Sequence, residues 1–251
     1  MQLLTMQLAS TLAVYRHDKP DGSRDQAGVY FAIGNDRGRV THISGVQGDS
    51  NFGAYSLGGY WTHFGTNGWY TDTILQGTFY GVNSSAHRGL PTLNTRGQGI
   101  AASVEAGHPF RFTQGYFIEP QMQVVYQSIA LGSASDGAAL VRFDNADSLL
   151  GRVGARFGRT WSIDGGPRNV TAWIRPSLLN EFRGNPITSF SSDAGFIPFR
   201  ADLGGLCREI NIGASGQLSA DVTVYANVSY QSRLDGAGAS YIGKAGLRSN
   251  W

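Results

Sequence analysis

The sequence predicts an all-β protein, an antiparallel transmembrane β-barrel, on three observations. Apolar and polar residues alternate with period two in eleven separate segments, the signature of strands with one apolar and one polar face. Most segments reach the ~9–11 residues that a tilted strand needs to cross a bilayer, whereas strands of water-soluble domains average ~5–6. The connections alternate between short turns and long polar loops, an asymmetry that membrane barrels show and soluble sandwiches have no reason to adopt.

The segments fall at about 7–16, 27–35, 54–64, 69–80, 98–108, 115–130, 148–161, 169–182, 206–219, 222–231 and 241–251. The first begins in "MQLLTMQLASTLAV", which lacks the positive n-region of a signal peptide; Thr5, Gln7, Ser10 and Thr11 interrupt its apolar run, so it reads as a strand. In "YFIEPQMQVVY", Tyr116, Ile118, Pro120, Met122, Val124 and Tyr126 oppose Phe117, Glu119, Gln121, Gln123 and Val125. "LLGRVGARFG" sets Leu149, Val153, Ala155 and Phe157 against Arg152 and Arg156. In "REINIGASGQLS", Ile210, Ile212, Ala214 and Leu218 oppose Glu209, Asn211, Ser215 and Gln217. "VTVYANVSY" alternates Val222, Val224, Ala226, Val228 and Tyr230 with Thr223, Tyr225, Asn227 and Ser229. Short turns are expected at 65–68, 109–114, 162–168 and 220–221, with 17–26 intermediate. Loops are expected at 36–53, 81–97, 131–147, 183–205 and 232–240. Pro120 and Pro176 each remove a ladder donor; Pro120 fits near its strand's start, and Pro176 implies a local bulge.

Charge fixes which face meets lipid. Arg152, Arg156, Arg175, Lys244 and Arg248 all fall on the polar parity. Each would cost ~2–4 kcal/mol facing lipid at mid-depth, so together roughly 10–20 kcal/mol, as much as a domain's whole stability of ~5–15. The polar face is therefore the lumen. Aromatic residues gather at strand ends, with Trp61, Phe64, Trp69 and Tyr70 about one turn and Phe110, Phe112, Tyr116 and Phe117 about another. Trp161 and Trp251 stand at further ends, and the set reads as an interfacial girdle.

Other function classes find little support. A net charge of +2 without a basic run argues against a nucleic-acid partner. Cys207 is the only cysteine, which excludes an intrachain disulfide and a cysteine metal cluster. His17, His42, His63, His87 and His108 show no metal-ligand spacing. No cofactor motif is present: "GVQGDSNFG" (45–53) lacks a Walker lysine, and no serine lies in a G-x-S-x-G elbow. The lumen-parity carboxylates Asp72, Glu105, Glu119, Glu181 and Glu209 are expected to pair with Arg152, Arg156, Arg175 and Arg208 rather than to catalyse.

With these residues laid out, the chain resembles the autotransporter β-domain, the translocator of type V secretion in Gram-negative bacteria. The resemblance rests on "AYSLGGYWTHFGTNGWYTDTILQGTFYG" (54–81), "GQGIAASVEAGHPFRF" with "GYFIEPQMQVVYQ" (97–127), "LLGRVGARFGRTW" (149–161), "AWIRPSLLNEF" (172–182) and "VYANVSYQ…YIGKAGLRSNW" (224–251). It implies an outer-membrane barrel, not an enzyme, that secretes an N-terminal passenger through its lumen, needs no cofactor and works as a monomer. The family barrel has twelve strands preceded by a plug helix and the passenger. The expectation is one barrel domain over 1–251 that lacks the first strand, the helix and the passenger. The resemblance further implies that the last strand, with Tyr241, Gly243, Lys244, Gly246, Leu247 and Trp251, is read by the barrel-assembly machinery and ends in the periplasm. Ser249 departs from the apolar residue expected there. A barrel protease and a passive porin remain as alternatives.

Overall fold

The computed structural model describes residues 2–41, 47–85, 91–163, 168–219, 222–234 and 238–249. Eleven long strands run in chain order: β1 Gln2–Asp18, β2 Arg24–Thr41, β3 Gln47–Phe64, β4 Tyr70–Ser85, β5 Leu93–Gly107, β6 Tyr116–Leu131, β7 Ala146–Ser162, β8 Asn169–Glu181, β9 Gly205–Gln217, β10 Val222–Arg233 and β11 Ala239–Ser249. Every one pairs antiparallel with its sequence neighbours, so the sheet is an up-and-down meander. The sheet curls until Asp18 on β1 and Lys244 on β11 line the same interior cavity, of about 830 Å³. Among the described residues β1 and β11 do not pair with each other, and each carries one free edge.

The burial pattern inverts that of a soluble barrel. Val124 is 53% exposed on the outside, whereas Gln121 is 7% exposed on the inside. Outward-facing Leu8, Phe31, Leu57, Phe79, Val153 and Ile212 are likewise open, while buried side chains include Ser56, Thr62, Thr78 and Asn211. Water-soluble domains bury aliphatics and expose polar groups. A polar bore under an apolar outer wall is stable only with hydrocarbon outside.

Several expectations need correction. β2 through β5 continue into 36–53 and 81–97, where loops were expected; the registers run unbroken from Arg24–Phe64 to Thr41–Gln47 and from Tyr70–Phe64 to Ser85–Asp49. Alternation fades there because the outer face turns polar, with Arg37, Asn51 and Asn83, while Phe52 and Val82 pair on the inner one, but the backbone ladder does not depend on alternation. The stretches 131–147 and 183–205 hold a second, four-stranded sheet built from Ala134–Ser135, Leu140–Phe143, Ile187–Ser192 and Gly195–Arg200. Val141, 1% exposed, and Ala134 are buried within it. Strands of 2–6 residues, paired across two loops, leave no periodic trace in sequence. Pro176 adds no extra residue to its strand: the β7–β8 ladder lapses at Ala155 and Arg156, while Pro176 stays in register with Ile210 on the β9 side. The one register shift at the start of the sheet lies in β1, between Thr11 and Ala13.

The girdle is thinner than expected. Trp61, Trp69, Phe110, Phe112, Tyr116 and Trp161 are exposed at the short-turn rim. Phe64, Tyr70 and Phe117 turn inward: Phe64 lies under the Arg24 guanidinium, Tyr70 bonds to Glu105, and Phe117 is buried. Trp251 lies outside the described residues.

Candidate functional site

A belt of paired charges rings the bore on β4 to β9. The strand registers bring Asp72, Glu105, Gln123 and Arg152 into one row across β4 to β7, because each strand pairs its lumen-facing residue with the next. Arg152, 6% exposed, donates from Nη2 to Glu105 Oε2 at 2.6 Å and from Nε to Gln123 Oε1 at 3.0 Å. Arg156 donates from Nη2 to Glu119 Oε2 at 2.5 Å, and Glu119 is only 4% exposed. Arg175 completes a third pair with Glu209 at 3.3 Å. Buried ions of one sign are costly to desolvate, so each carboxylate here meets a guanidinium, and Glu105 and Glu119 meet further donors.

Neutral groups join the pairs into one network. Tyr70 donates its hydroxyl to Glu105 at 2.7 Å, and Gln121 donates from Nε2 to Glu119 Oε1 at 2.6 Å and to the Tyr70 oxygen at 2.9 Å. Gln121 Oε1 in turn accepts from both Arg152 and Arg175. Trp173 donates from Nε1 to Asn211 Oδ1 at 3.1 Å, and Asn211 donates onward to Asn227 and Ser229. The Arg156 guanidinium rests 5.3 Å from the Phe117 ring and 5.7 Å from Trp173, within cation–π range. Glycine makes room for three of these rings, Trp173 over Gly213 among them. A Cβ on Gly107 would fall 2.6 Å from the Tyr70 ring, and one on Gly158 would fall 2.5 Å from Phe117. Each ring therefore lies flat on the neighbouring strand, which keeps the bore open.

The sequence-derived residues fall at several places in the barrel. Glu105, Glu119, Arg152, Arg156 and Arg175 form the belt, with Glu209 as the third carboxylate. Asp72 lines the same cavity but is held by the Thr62 hydroxyl. Lys244 lines the cavity from β11, and Arg248 stands opposite Thr223 on the same parity. Glu181 lies apart, at the long-loop end of β8, where it accepts from Ser148 and from the backbone N–H groups of Leu149 and Arg183. Arg208 pairs with no lumen carboxylate: it shares the parity of Ile210 and Ile212 and donates to Ser232. On β11, Tyr241 and Leu247 are exposed, Tyr241 packs 5.0 Å from Tyr230, and Gly246 lies beneath the Tyr225 hydroxyl. Sequence reasoning missed Tyr70, Gln121, Trp173 and Asn211 as members of the belt. Their lumen parity was readable, but the partners that tie them into the belt lie as far as 54 residues away and depend on register.

A meander of membrane-length strands with a charge-paired bore matches one family throughout. The model of the autotransporter beta-domain matches residues 13–229. The chain belongs to that family. It is 28% identical over 236 residues to the pertactin autotransporter of Bordetella bronchiseptica, covering 90% of this chain and 25% of that protein. It is 29% identical over 180 residues to the BrkA autotransporter of Bordetella pertussis, covering 69% of this chain and 17% of the relative. The chain thus spans a quarter or less of the length of these relatives. The crystal structure of the Bordetella BrkA beta domain superposes with a TM-score of 0.77 at 22% identity, over 99% of this chain and 90% of that one. The transport unit of AIDA-I from Escherichia coli superposes with a TM-score of 0.78 at 16% identity, over 99% and 82%. Autotransporter β-domains are barrels of the Gram-negative outer membrane; they act as translocators and are not themselves enzymes.

Proposed function

We propose that this barrel secretes, or displays at the cell surface, a passenger domain encoded ahead of it, and that the passenger's connecting segment passes through the belt. The observation that carries this reading is the bore itself. It is lined from β1 to β11 by polar side chains, and on β4 to β9 three guanidinium groups are paired with three carboxylates. Such a wall offers a moving polypeptide hydrogen-bonding groups at many points without a net field that would trap one sign of charge. No step requires a cofactor or nucleotide.

Orientation and partners belong to the same proposal. The short turns and the end of β11 face the periplasm, the long loops face outside, and the exposed wall meets outer-membrane lipid. This is supported by the loop asymmetry and by the tryptophans at the short-turn rim. The C-terminal segment, β11 with Tyr241, Gly243, Lys244, Gly246 and Leu247 followed in sequence by Trp251, is what the assembly machinery would read, because a free edge with alternating side chains is a site for β-augmentation. The barrel acts as a monomer.

The test is a secretion assay on the intact protein with a reporter passenger. Joint neutralisation of one pair, Glu119→Gln with Arg156→Gln, is expected to lower protease-accessible passenger about tenfold while the amount of heat-modifiable barrel stays constant. Unchanged display by the double variant would remove the belt from the passenger's path, and absence of display by the parent protein, together with steady solute conductance in planar bilayers, would replace the translocator reading with that of a passive porin.

A further inference from the structure

We infer that the outer wall of β2–β6 carries a binding site for one acylated, doubly phosphorylated disaccharide lipid of the outer leaflet. The inference rests on the orientation proposed above. It starts from a groove in the lipid-facing surface, of about 840 Å³, walled by Phe31, Tyr55, Leu57, Phe79 and Ile100. Its floor is Gly77, where a Cβ would meet nothing within 4 Å. The registers define the geometry. One row runs Phe31–Leu57–Gly77–Ile100, and the next, toward the long loops, runs Ile33–Tyr55–Phe79–Gln98. The row above is Asn35–Gly53–Gly81–Arg96, and Gly53 and Gly81 also leave open space above the backbone. The fourth row is Arg37–Asn51–Asn83–Asn94.

Aromatic walls around a glycine floor accept acyl chain, and the recess continues upward into a polar patch instead of closing. Rows two residues apart are separated by about 7 Å along the strands, so the cations lie one to two rows above the groove. Among the described residues, Arg37 and Arg96 are exposed and make no ion pair. Elsewhere on this rim Arg39 is already matched by Asp49 at 2.8 Å. Arg37 on β2 and Arg96 on β5 are three strands and one row apart, about 16 Å at the usual strand geometry. A single glycerophosphate cannot reach both, whereas phosphates at the two ends of a disaccharide can. Between them lie Asn51 and Asn83, amides suited to sugar hydroxyls. Guanidinium groups match phosphate geometry.

The experiment uses the purified folded protein in detergent, mixed separately with bisphosphorylated lipid A, monophosphorylated lipid A and phosphatidylglycerol, with retained lipid counted by native mass spectrometry. Retention of bisphosphorylated lipid A is expected to exceed that of either other lipid by about tenfold or more. Arg37→Ala with Arg96→Ala, and separately Gly77→Phe, should reduce it to that background, while Arg208→Ala, on the same rim outside the patch, should not. Equal retention of phosphatidylglycerol, or full retention by either patch variant, overturns the assignment. A folded Gly77→Phe protein is verified by heat-modifiable migration, and the arginine pair gives an independent arm should that variant not fold. Labelling of a cysteine placed at Ser135 from outside intact cells tests orientation separately. Outside labelling without lipid selectivity rejects this inference alone, and labelling only from the periplasm rejects the orientation beneath it.

Discussion

Gln123 and Val124 are adjacent in the chain and meet opposite worlds. Gln123 donates to Ser103 and accepts from Arg152 inside the bore, while Val124 stands exposed on the outer wall. The same division holds on β7, where Arg152 is buried in a charge network and Val153 is 57% exposed. Inside, stability depends on partners: each charge of the belt is matched to a particular atom on a particular strand. Outside, it depends only on polarity, because hydrocarbon imposes no specific fit. The inner face is therefore sensitive to the identity of single residues, and the outer face to their class.

The most damaging change should be one that leaves an inner charge unmatched. Arg152→Met leaves Glu105 facing Asp72 with only Tyr70 to satisfy it, and should lower stability by about 3–5 kcal/mol. Unfolding in urea from detergent micelles would measure it, and Glu105→Gln added to the same protein should recover most of the loss. If the single and double variants were equally unstable, the pair would not be the unit of inner-wall stability. Next comes the class test on β6. Val124→Lys should cost about 2–4 kcal/mol and reduce membrane assembly, whereas Gln123→Lys should assemble nearly as well as the parent. Equal assembly of the two variants, read from heat-modifiable migration, would erase the distinction between the faces. A smaller effect belongs to the rim, where Trp61→Ala should lower stability by about 1 kcal/mol and Trp61→Leu should restore less of it than Trp61→Tyr, because the interface rewards an amphipathic ring.

The smallest effect is one of pH. Asp21, in the first turn, accepts from the Ser23 hydroxyl at 2.7 Å and from the Ser23 N–H at 2.9 Å, and these bonds hold its carboxyl below the usual carboxylate range. A depressed folded value means the stabilisation is complete above the unfolded value of ~3.9 and is lost as pH falls through the folded one. Asp21→Asn should therefore flatten the acid limb of stability below about pH 4 and leave neutral stability nearly unchanged. A change confined to neutral pH would show that the turn does not depend on the carboxylate's charge.

Parity was the part of this molecule that sequence made legible. Two-residue periodicity located all eleven wall strands, and the cost of lipid-facing arginine turned Arg152, Arg156 and Arg175 inward before any coordinates. What parity cannot supply is register across the sheet. It put Glu105 and Arg152 on the same side, but only the β5–β6–β7 pairings bring them within 2.6 Å. Tyr70 and Phe117 misled because an aromatic ring at a strand end looks the same in sequence whether it meets a headgroup or a guanidinium. The loop sheet escaped for a different reason: Leu140–Phe143 and Ile187–Ser192 pair over a separation of nearly fifty residues, beyond the reach of any local pattern.

The two sides of the barrel mouth are built differently. On β2–β5 the wall simply continues upward, while above β6–β9 it gives way to a compact flap in which Leu140–Phe143 and Ile187–Ser192 are laced together, with Gly195–Arg200 as its open outer margin. The rim is therefore uneven: on one side it is an extension of the wall's own ladder, and on the other a small sheet that shares no ladder with the wall.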